Sequence, residues 1–310
     1  MKLTTTFCFP AIIISAAFGC GIATALSKKD AKTPVNTGKY MYALTPVTYG
    51  TDTITFYDDA VIREHRTVVQ GLYCPATHKV TTFYLVNKSQ SARLQKFCDE
   101  TNAMAPLTLR HEREHARKMA LVGMGYMFSD LTRGEIAATN EIVAPAAEII
   151  AAVDWRHTHG APIGAAKKFV RNAEREIYAL ADSLNLPWPI DFNQPQIAEI
   201  VMKHAIARFT SEFNRGQYVT TVRDATRNRY GRKYRPNNMC DLTQIFNFMP
   251  QYGLWAPMWE FESQRGPVNL WNAVSEKTRL DTTLKLQSFV WRALASAGKK
   301  PLFLENQKTH

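Results

Sequence analysis

The chain has 310 residues, of which 45% are hydrophobic and 21% are charged. These fractions are typical of a globular protein, and 15 Gly with 15 Pro exclude a collagen-like or low-complexity chain. The excess of 38 basic over 27 acidic residues gives a formal charge of +11, which favours an anionic partner. The length suffices for one large domain or two small ones.

The first 25 residues have the layout of a signal peptide. Lys2 precedes an uncharged run whose most apolar part spans residues 7–18, and the small residues Ala23-Thr24-Ala25 follow. We therefore expect cleavage after Ala25 and export of the protein, to the periplasm of a bacterium or outside the cell. The alternative is a retained membrane anchor, which Pro10 and the polar residues of the run disfavour. We expect no further segment to cross a membrane.

Cysteine placement gains meaning from this predicted export, because thiols outside the cytoplasm tend to be paired. Cys74 and Cys98 flank one predicted strand, which favours a disulfide between them and leaves Cys240 single. Three buried thiols with no role are the alternative. Near the N-terminus, the residues Ala17-Phe18-Gly19-Cys20 resemble a bacterial lipoprotein box, so lipid attachment at Cys20 is an alternative to a soluble mature chain.

The pattern along the chain predicts an α+β fold that is predominantly α-helical. Between Tyr40 and Asn87, alternating segments rich in Thr, Val and Tyr predict about three strands of a small N-terminal antiparallel sheet. After Ser89 the pattern becomes helical, and we expect Pro145 to bend or interrupt one of the helices. The predicted helices span residues 91–104, 106–124, 132–155, 165–184, 194–214 and 281–297.

The chemistry is concentrated in the sequence His111-Glu112-Arg113-Glu114-His115. On a helix, imidazoles four residues apart project from one face, and two neutral His nitrogens at this spacing can bind one Zn²⁺. Glu112 then lies beside the metal, where it can act as a general base and return the proton to a leaving amine. The pattern therefore predicts a zinc site with a catalytic carboxylate.

This motif resembles the defining His-Glu-x-x-His of the zincin metallopeptidases, which take a third ligand from further along the chain. In the gluzincin-like class that ligand is a Glu on a following helix, so Glu135, Glu141 and Glu148 are candidates. Glu135 follows His115 after 19 intervening residues, a spacing that resembles thermolysin-like enzymes, and Glu135-Ile136-Ala137-Ala138 resembles the start of a third-ligand helix. The resemblance thus implies a zinc site formed by His111, His115 and Glu135.

Two alternatives accompany this ligand set. Asn140-Glu141 resembles the Asn-Glu pair of thermolysin-like enzymes, which makes Glu141 the competing third ligand. Glu135 could instead form a capping box with Thr132. The chain also departs from most zincins, whose two middle motif residues are uncharged. Arg113 and Glu114 here predict either a helix whose back is exposed to solvent or a helix that never enters a protein interior.

Further groups could assist such a site. His157 and His159 could orient a ligand or stabilise an oxyanion, and a polar helix end is their structural alternative. His204 is expected to be a packed or surface residue. The hydroxyl group of Tyr126, Tyr230 or Tyr234 could also donate a hydrogen bond to an oxyanion.

A cluster of basic residues with interleaved tyrosines spans residues 223–235. Such a pattern can bind phosphates or an anionic glycan, whereas a solvated loop or helix end is the ordinary interpretation. Predicted export makes nucleic acid an unlikely partner and leaves the anionic bacterial envelope as a possible surface. The residues concerned are Arg223, Arg227, Arg229, Arg232, Lys233 and Arg235.

Two functions of different classes follow from these patterns. The first is an exported zinc-dependent metallopeptidase that hydrolyses protein or peptide substrates. Its signal peptide spans residues 1–25 and a single domain spans residues 26–310. The domain would comprise a small β-rich part (26–100), a metal-binding helical core (101–160) and a helical C-terminal part (161–310). The second function is a non-catalytic cationic protein, or lipoprotein, that binds the envelope and carries an accidental or inactive motif.

Overall fold

The computed structural model describes residues 47–59, 70–74, 77–124, 130–163, 167–227 and 255–296. Several predictions concern residues outside these ranges: the signal peptide, lipid attachment at Cys20, the pairing state of Cys240, and residues 228–235 of the basic run. Tyr126, Tyr230 and Tyr234 lie outside them as well. Within the described residues, the predicted α+β fold with a predominance of helix is confirmed.

Three strands form the N-terminal sheet. They are β1 (Thr48–Phe56), β2 (Gly71–Cys74) and β3 (Lys79–Asn87), in the order β1-β3-β2. The β2–β3 pair is antiparallel, but β1 runs parallel to β3, with Thr48 opposite Lys79. The prediction of a purely antiparallel sheet was therefore wrong. Alternation of polar and apolar residues determines which side chains face the core and carries no information about strand direction.

The two faces of this sheet pack against two consecutive helices, α1 (Ala92–Ala103) and α2 (Ala105–Met124). Leu85 packs with Leu94 and Cys98 of α1, whereas Val80 packs with Ala116 of α2. Val80 and Leu85 are separated by an odd number of positions, so their side chains point to opposite faces of the strand. The sheet thus separates the two helices and presents β2 to α2.

The predicted disulfide between Cys74 and Cys98 is absent. Cys74 pairs with Lys79 at the start of β3, whereas Cys98 packs beside Leu85 near its end. Leu85 lies six positions after Lys79 along β3, a distance of about 20 Å. The Cα atoms of two cysteines in a disulfide are only about 5–6 Å apart. The position of both cysteines beside one strand in the sequence therefore did not mean that their side chains are close together.

The remaining described elements surround one long central helix, α3 (Asp130–His159). They are α4 (Lys168–Ser183), α5 (Pro195–Asn214), α6 (Val219–Arg227), α7 (Trp255–Met258), β4 (Glu260–Ser263), β5 (Gly266–Asn269), α8 (Leu270–Ala273) and α9 (Glu276–Ala295). Strands β4 and β5 form a hairpin that the sequence analysis did not anticipate. A continuous apolar core includes residues from α2 to α9, from Leu107 to Ala293.

Helix α3 is buried on all sides. It packs against α2, α5, α6 and α9, and every residue from 134 to 150 is buried. The stretch 132–159 is long and apolar enough to span a membrane, contrary to the sequence analysis, but 94% of its most apolar window is buried inside the fold. That burial is typical of the core helix of a globular protein.

Pro145 lies inside α3, and the helix continues through it without interruption. Of the two predicted effects, the interruption was therefore wrong, and the bend stays a prediction. Proline removes one hydrogen bond, the one that its N–H would donate to the carbonyl of Glu141 four residues earlier. Because neighbouring helices pack against both sides of this position, tertiary contacts hold the helix together despite the lost bond.

Candidate metal centre

The two motif histidines of α2 face each other within the fold. Their Nε2 atoms are 3.2 Å apart, and their rings meet edge to face with centroids 4.9 Å apart. Two nitrogens at this separation can both lie about 2.05 Å from one Zn²⁺ at an N–Zn–N angle of about 100°, close to tetrahedral. His111 and His115 therefore have the relative geometry of two ligands of one ion.

Helix α3 places the carboxylate of Glu141 near the Nε2 side of this pair. Its Oε2 atom is 4.0 Å from Nε2 of His115, and only 7% of the residue is exposed. In a tetrahedral zinc site, N and O ligand atoms are about 3.4 Å apart, so Glu141 is about 0.6 Å too distant to complete the set. In agreement, no three described His, Cys, Asp or Glu side chains already form a group that could hold a metal ion.

Glu135, the third ligand implied by the spacing, has a different environment. Its carboxyl group hydrogen-bonds to Gln287 of α9 and makes no ion pair or hydrogen bond with either imidazole within the described residues. At 100° per residue, Glu135 and Glu141 are about 120° apart around α3. The structure therefore brings Glu141 to the histidines, and the assignment of Glu135 as a ligand is not supported by the geometry.

Glu148 shares the face of α3 with Glu141, because seven residues make two helical turns. Its Oε1 atom accepts a hydrogen bond from Nδ1 of His111 at 2.6 Å, and its Oε2 atom pairs with Nζ of Lys167 at 2.7 Å. Burial alone would raise the pKa of Glu148, but Lys167 and His111 lower it to about 2. Glu148 is therefore ionised, and it orients His111 with Nε2 towards His115.

His115 is held in its neutral form. Burial lowers the pKa of His115 to about 3, and the neighbouring His111 acts in the same direction. A neutral imidazole has a lone pair on one nitrogen, which is the form that binds a metal. The state of His115 thus suits a metal ligand.

The two remaining acids of the centre are Glu141 and Glu112. Burial raises the pKa of Glu141 to about 8, with smaller contributions from the charges of Glu112 and Glu212. Burial also raises the pKa of Glu112, while His111 and a hydrogen bond from the backbone N–H of Tyr73 act in the opposite direction. Two imidazoles and two carboxylates in a desolvated site form a donor set that matches a divalent cation in charge and in ligand type.

The back of α2 is exposed at Arg113, as its charge predicted, but it is buried at Glu114, contrary to the prediction. Glu114 and Lys118 have no exposed surface, and Nζ of Lys118 lies 3.2 Å from Oε1 of Glu114. The same ammonium donates to the carbonyl oxygens of Pro257 and Glu260, at 3.1 and 2.6 Å. The charged middle residue Glu114 therefore belongs to a buried ion pair whose lysine links the motif helix to α7 and to β4.

Other predicted candidates lie away from this centre. His157 stacks on Trp188 and His159 stacks on Trp155, in the last turns of α3. His157 is nine residues beyond Glu148, about 14 Å along the helix axis, which separates it from the two motif histidines. His204 pairs with Glu176, as expected of a packed or surface residue.

Several residues of the centre were missed in the sequence. Lys167 and Glu212 have no local signal, because they reach the site from other elements. Tyr218 was also missed: its pKa is raised by burial and then by Glu141 and Glu212, and its φ of 61° is in the left-handed region. The seven-residue interval between Glu141 and Glu148 was a usable signal, because it places two acids on one helix face.

Comparison of the chain with protein-family models, with curated proteins and with solved structures finds no match. Functional interpretation therefore depends on the geometry of the centre and on the motif that forms it.

Proposed function

We propose that this protein is a zinc-dependent hydrolase of the metallopeptidase class, in which His111, His115 and Glu141 bind the metal. The observation that carries the proposal is the convergence of two imidazole Nε2 atoms 3.2 Å apart, with a buried carboxylate 4.0 Å from one of them. Peptide bonds as substrate follow from the resemblance to zincins. Export to the periplasm or secretion belongs to the same proposal and is supported by the composition of residues 1–25.

The bound Zn²⁺ would supply a Lewis acid and lower the pKa of a water molecule towards 7. Glu112 would act as the general base that accepts a proton from water in the site, and as the general acid that returns it to the leaving amine. Burial raises the pKa of Glu112, which suits a group that must both accept and release a proton near neutral pH. Glu148, held by Lys167, fixes the ring of His111 throughout.

Metal stoichiometry tests the ligand set with a matched pair of variants on one helix. After chelation and titration with Zn²⁺, we expect the purified protein to bind one equivalent. Glu141→Gln removes a ligand and should weaken zinc binding by at least about tenfold, whereas Glu135→Gln should leave the affinity unchanged. A protein that binds no stoichiometric zinc would refute the proposal, and loss of affinity in Glu135→Gln alone would restore Glu135 as the third ligand.

Hydrolysis is tested separately with dye-quenched casein as the probe. Glu112→Gln should retain zinc and lose cleavage by a factor of about 10² or more, because the general base is removed without a change of side-chain shape. Equal cleavage by zinc-loaded wild type and Glu112→Gln would exclude Glu112 as the base.

The alternative of a non-catalytic cationic envelope protein is decided by the zinc titration and the casein assay together, because an inactive motif could still bind zinc. In the described part of the basic run, Arg223 already pairs with Asp224 at 3.1 Å. Arg229, Arg232, Lys233 and Arg235 lie outside the described residues. Binding to an anionic envelope surface therefore stays a prediction from the sequence.

A further inference from the structure

The side chain of Glu112 lies directly against the backbone of β2 at Gly71. A Cβ atom placed on Gly71 would be 2.7 Å from Cγ and 3.2 Å from Oε1 of Glu112, and 2.7 Å from Cγ2 of Thr108. Contacts below 3.0 Å essentially never occur at a real Cβ. Only glycine therefore allows α2 and the side chain of Glu112 to approach this strand so closely.

Among the strands that the structure describes, β2 pairs with β3 on one side only, so it forms an edge of the described sheet. The amide of Phe83 donates to the carbonyl of Gln70, which makes Gln70 and Phe83 a hydrogen-bonded pair of the antiparallel ladder. Hydrogen-bonded and non-bonded pairs alternate, so the N–H of Tyr73, three residues after Gln70, points away from β3. The carboxylate of Glu112 accepts a hydrogen bond from this N–H.

A second contact fixes the same two elements. Oγ1 of Thr108, one helical turn before Glu112, donates to Oε1 of Gln70 at 3.1 Å, just before β2 begins. Gln70 and Gly71 thus contact one face of α2 at two successive turns. The position of Glu112 is consequently determined by the strand as well as by its own helix.

We propose that β2 is the positioning element of the general base: the absent side chain of Gly71 lets Glu112 cross the strand, and the edge N–H of Tyr73 holds its carboxylate. This inference rests on the proposed function, and it makes Gly71 and Tyr73 positioning residues, since they act through Glu112. A carboxylate held by one backbone donor keeps its other lone pairs available to accept a proton. The strand edge therefore orients the carboxylate of Glu112 and leaves it able to accept a proton.

The contact can be measured without a substrate. The chain contains 12 Tyr, so selective ¹⁵N-tyrosine labelling gives a simple amide spectrum in which Tyr73→Phe identifies the Tyr73 signal. In the wild-type protein we expect a strongly downfield amide proton, because the acceptor is a carboxylate. Glu112→Ala should move this signal upfield and increase its hydrogen exchange by at least about tenfold.

Gly71→Ala tests whether the side chain of Glu112 needs the space at Gly71 to cross β2. The new methyl group should displace Glu112, move the Tyr73 amide upfield and lower kcat on dye-quenched casein by at least about tenfold with an unchanged KM. In a Glu112→Ala background the same substitution should produce no further shift of Tyr73, because the two changes act on one contact. Combination with Thr108→Ser relieves the second clash and guards against a general loss of folding.

Gly50→Ala is the matched control in the same sheet. A Cβ at Gly50 would meet only the flexible end of Lys79, at 2.9 Å from its Cε, which can move aside. We expect the Tyr73 amide, zinc affinity and kcat to be unchanged. Equal effects of Gly50→Ala and Gly71→Ala would overturn the inference, as would a Tyr73 amide that is insensitive to Glu112→Ala.

Zinc titration separates this inference from the proposed function. If the wild-type protein binds no zinc while Tyr73 still responds to Glu112, the proposed function fails and the contact stands. If zinc binds and Tyr73 does not respond, the hydrolase proposal survives and the positioning role of β2 is refuted. If zinc binds, Gly71→Ala should leave zinc affinity within about threefold of wild type, because His111, His115 and Glu141 are untouched.

Discussion

Glu148 accepts a hydrogen bond from Nδ1 of His111 at 2.6 Å, and this contact joins the central helix to the motif helix. The bond leaves the other ring nitrogen of His111 facing His115, 3.2 Å away. Lys167 pairs with the second oxygen of Glu148 and stabilises its negative charge. The orientation of a proposed metal ligand thus depends on an acid and a base that do not themselves belong to the motif.

Removal of the Glu148 charge is expected to weaken zinc binding. In Glu148→Gln the neutral amide can still accept from His111, but it no longer stabilises the polarised imidazole, and loss of such partners typically costs 10- to 100-fold in metal affinity. Competition with a fluorescent chelator measures the dissociation constant. Glu174→Gln is the control, since Glu174 is an equally buried acid, paired with Arg156. Equal affinities of wild type and Glu148→Gln would contradict the orienting role.

Zinc binding should release a proton near neutral pH. Burial raises the pKa of Glu141 to about 8, so this carboxyl group is protonated at pH 7 before the metal binds. A carboxylate must be deprotonated to act as a ligand, and apparent affinity should therefore rise by up to about tenfold per pH unit below pH 8. Calorimetry in two buffers of different ionisation enthalpy counts the proton. Identical heats in both buffers would show that Glu141 is already ionised.

The metal-free protein should lose stability as the pH rises from about 6.5 to 8. The folded state keeps the proton of Glu141 up to about pH 8, whereas an unfolded Glu releases it near 4.5, so the folded state binds more protons in this window. Hydrogen bonding and charge from Glu148 raise the pKa of His111 against the effect of burial, and His111 contributes in the same direction. Below pH 6.5, His115 has the opposite effect on stability. Its pKa is about 3 in the folded state, so in this range the unfolded state binds more protons at this residue.

Urea unfolding in the presence of a chelator measures this effect. The Glu141 contribution alone should lower the free energy of unfolding by about 2 kcal/mol between pH 6.5 and 8, as an upper estimate. Glu141→Gln removes the titrating group and should flatten the slope. A wild-type slope that is flat or rising across this window would contradict the environment found for Glu141.

The buried pair behind α2 should be sensitive to removal of one partner. Lys118→Met removes the buried partner of Glu114, which keeps a longer contact with Arg117 at 3.4 Å. Loss of one partner of a buried ion pair typically destabilises a protein by about 3–5 kcal/mol, and the contact with Arg117 should make the cost smaller here. Glu114→Gln/Lys118→Met removes both charges and should cost less than Lys118→Met alone. Chemical denaturation gives the free energies of unfolding of all three proteins. A double variant less stable than Lys118→Met would show that the pair is not coupled in this way.

Sequence patterns predicted the parts of the centre that depend on one helix. His111 and His115 are four residues apart on α2, and helical geometry alone places them on one face. The third acid could not be chosen by spacing to the motif, because Glu135 and Glu141 occupy the same helix and only their angular positions differ. The interval from Glu141 to Glu148 contained that angular information, whereas the approach of Lys167 depends on how the chain returns after α3.

Other failures have a common physical origin in tertiary context. The charge of Glu114 suggested an exposed helix, because no sequence pattern showed that Lys118 would be buried beside it. The alternation in β1 and β3 predicted strands correctly but could not give their parallel direction. Cys74 and Cys98 lie close in sequence, but they contact opposite ends of β3. Only the packing of α1 on the sheet determines this separation.

Helix α3 contributes Glu141 and Glu148 and is at the same time the centre of the apolar core. A cation bound by Glu141 and by the histidine that Glu148 orients would therefore be linked to folding of the whole domain. Its stabilisation would grow with the logarithm of metal concentration over the dissociation constant. The core and the metal centre would then melt in a single transition, and chelation would shift its midpoint. Loss of the ion would therefore also destabilise the packing of α9, which contacts the same helix.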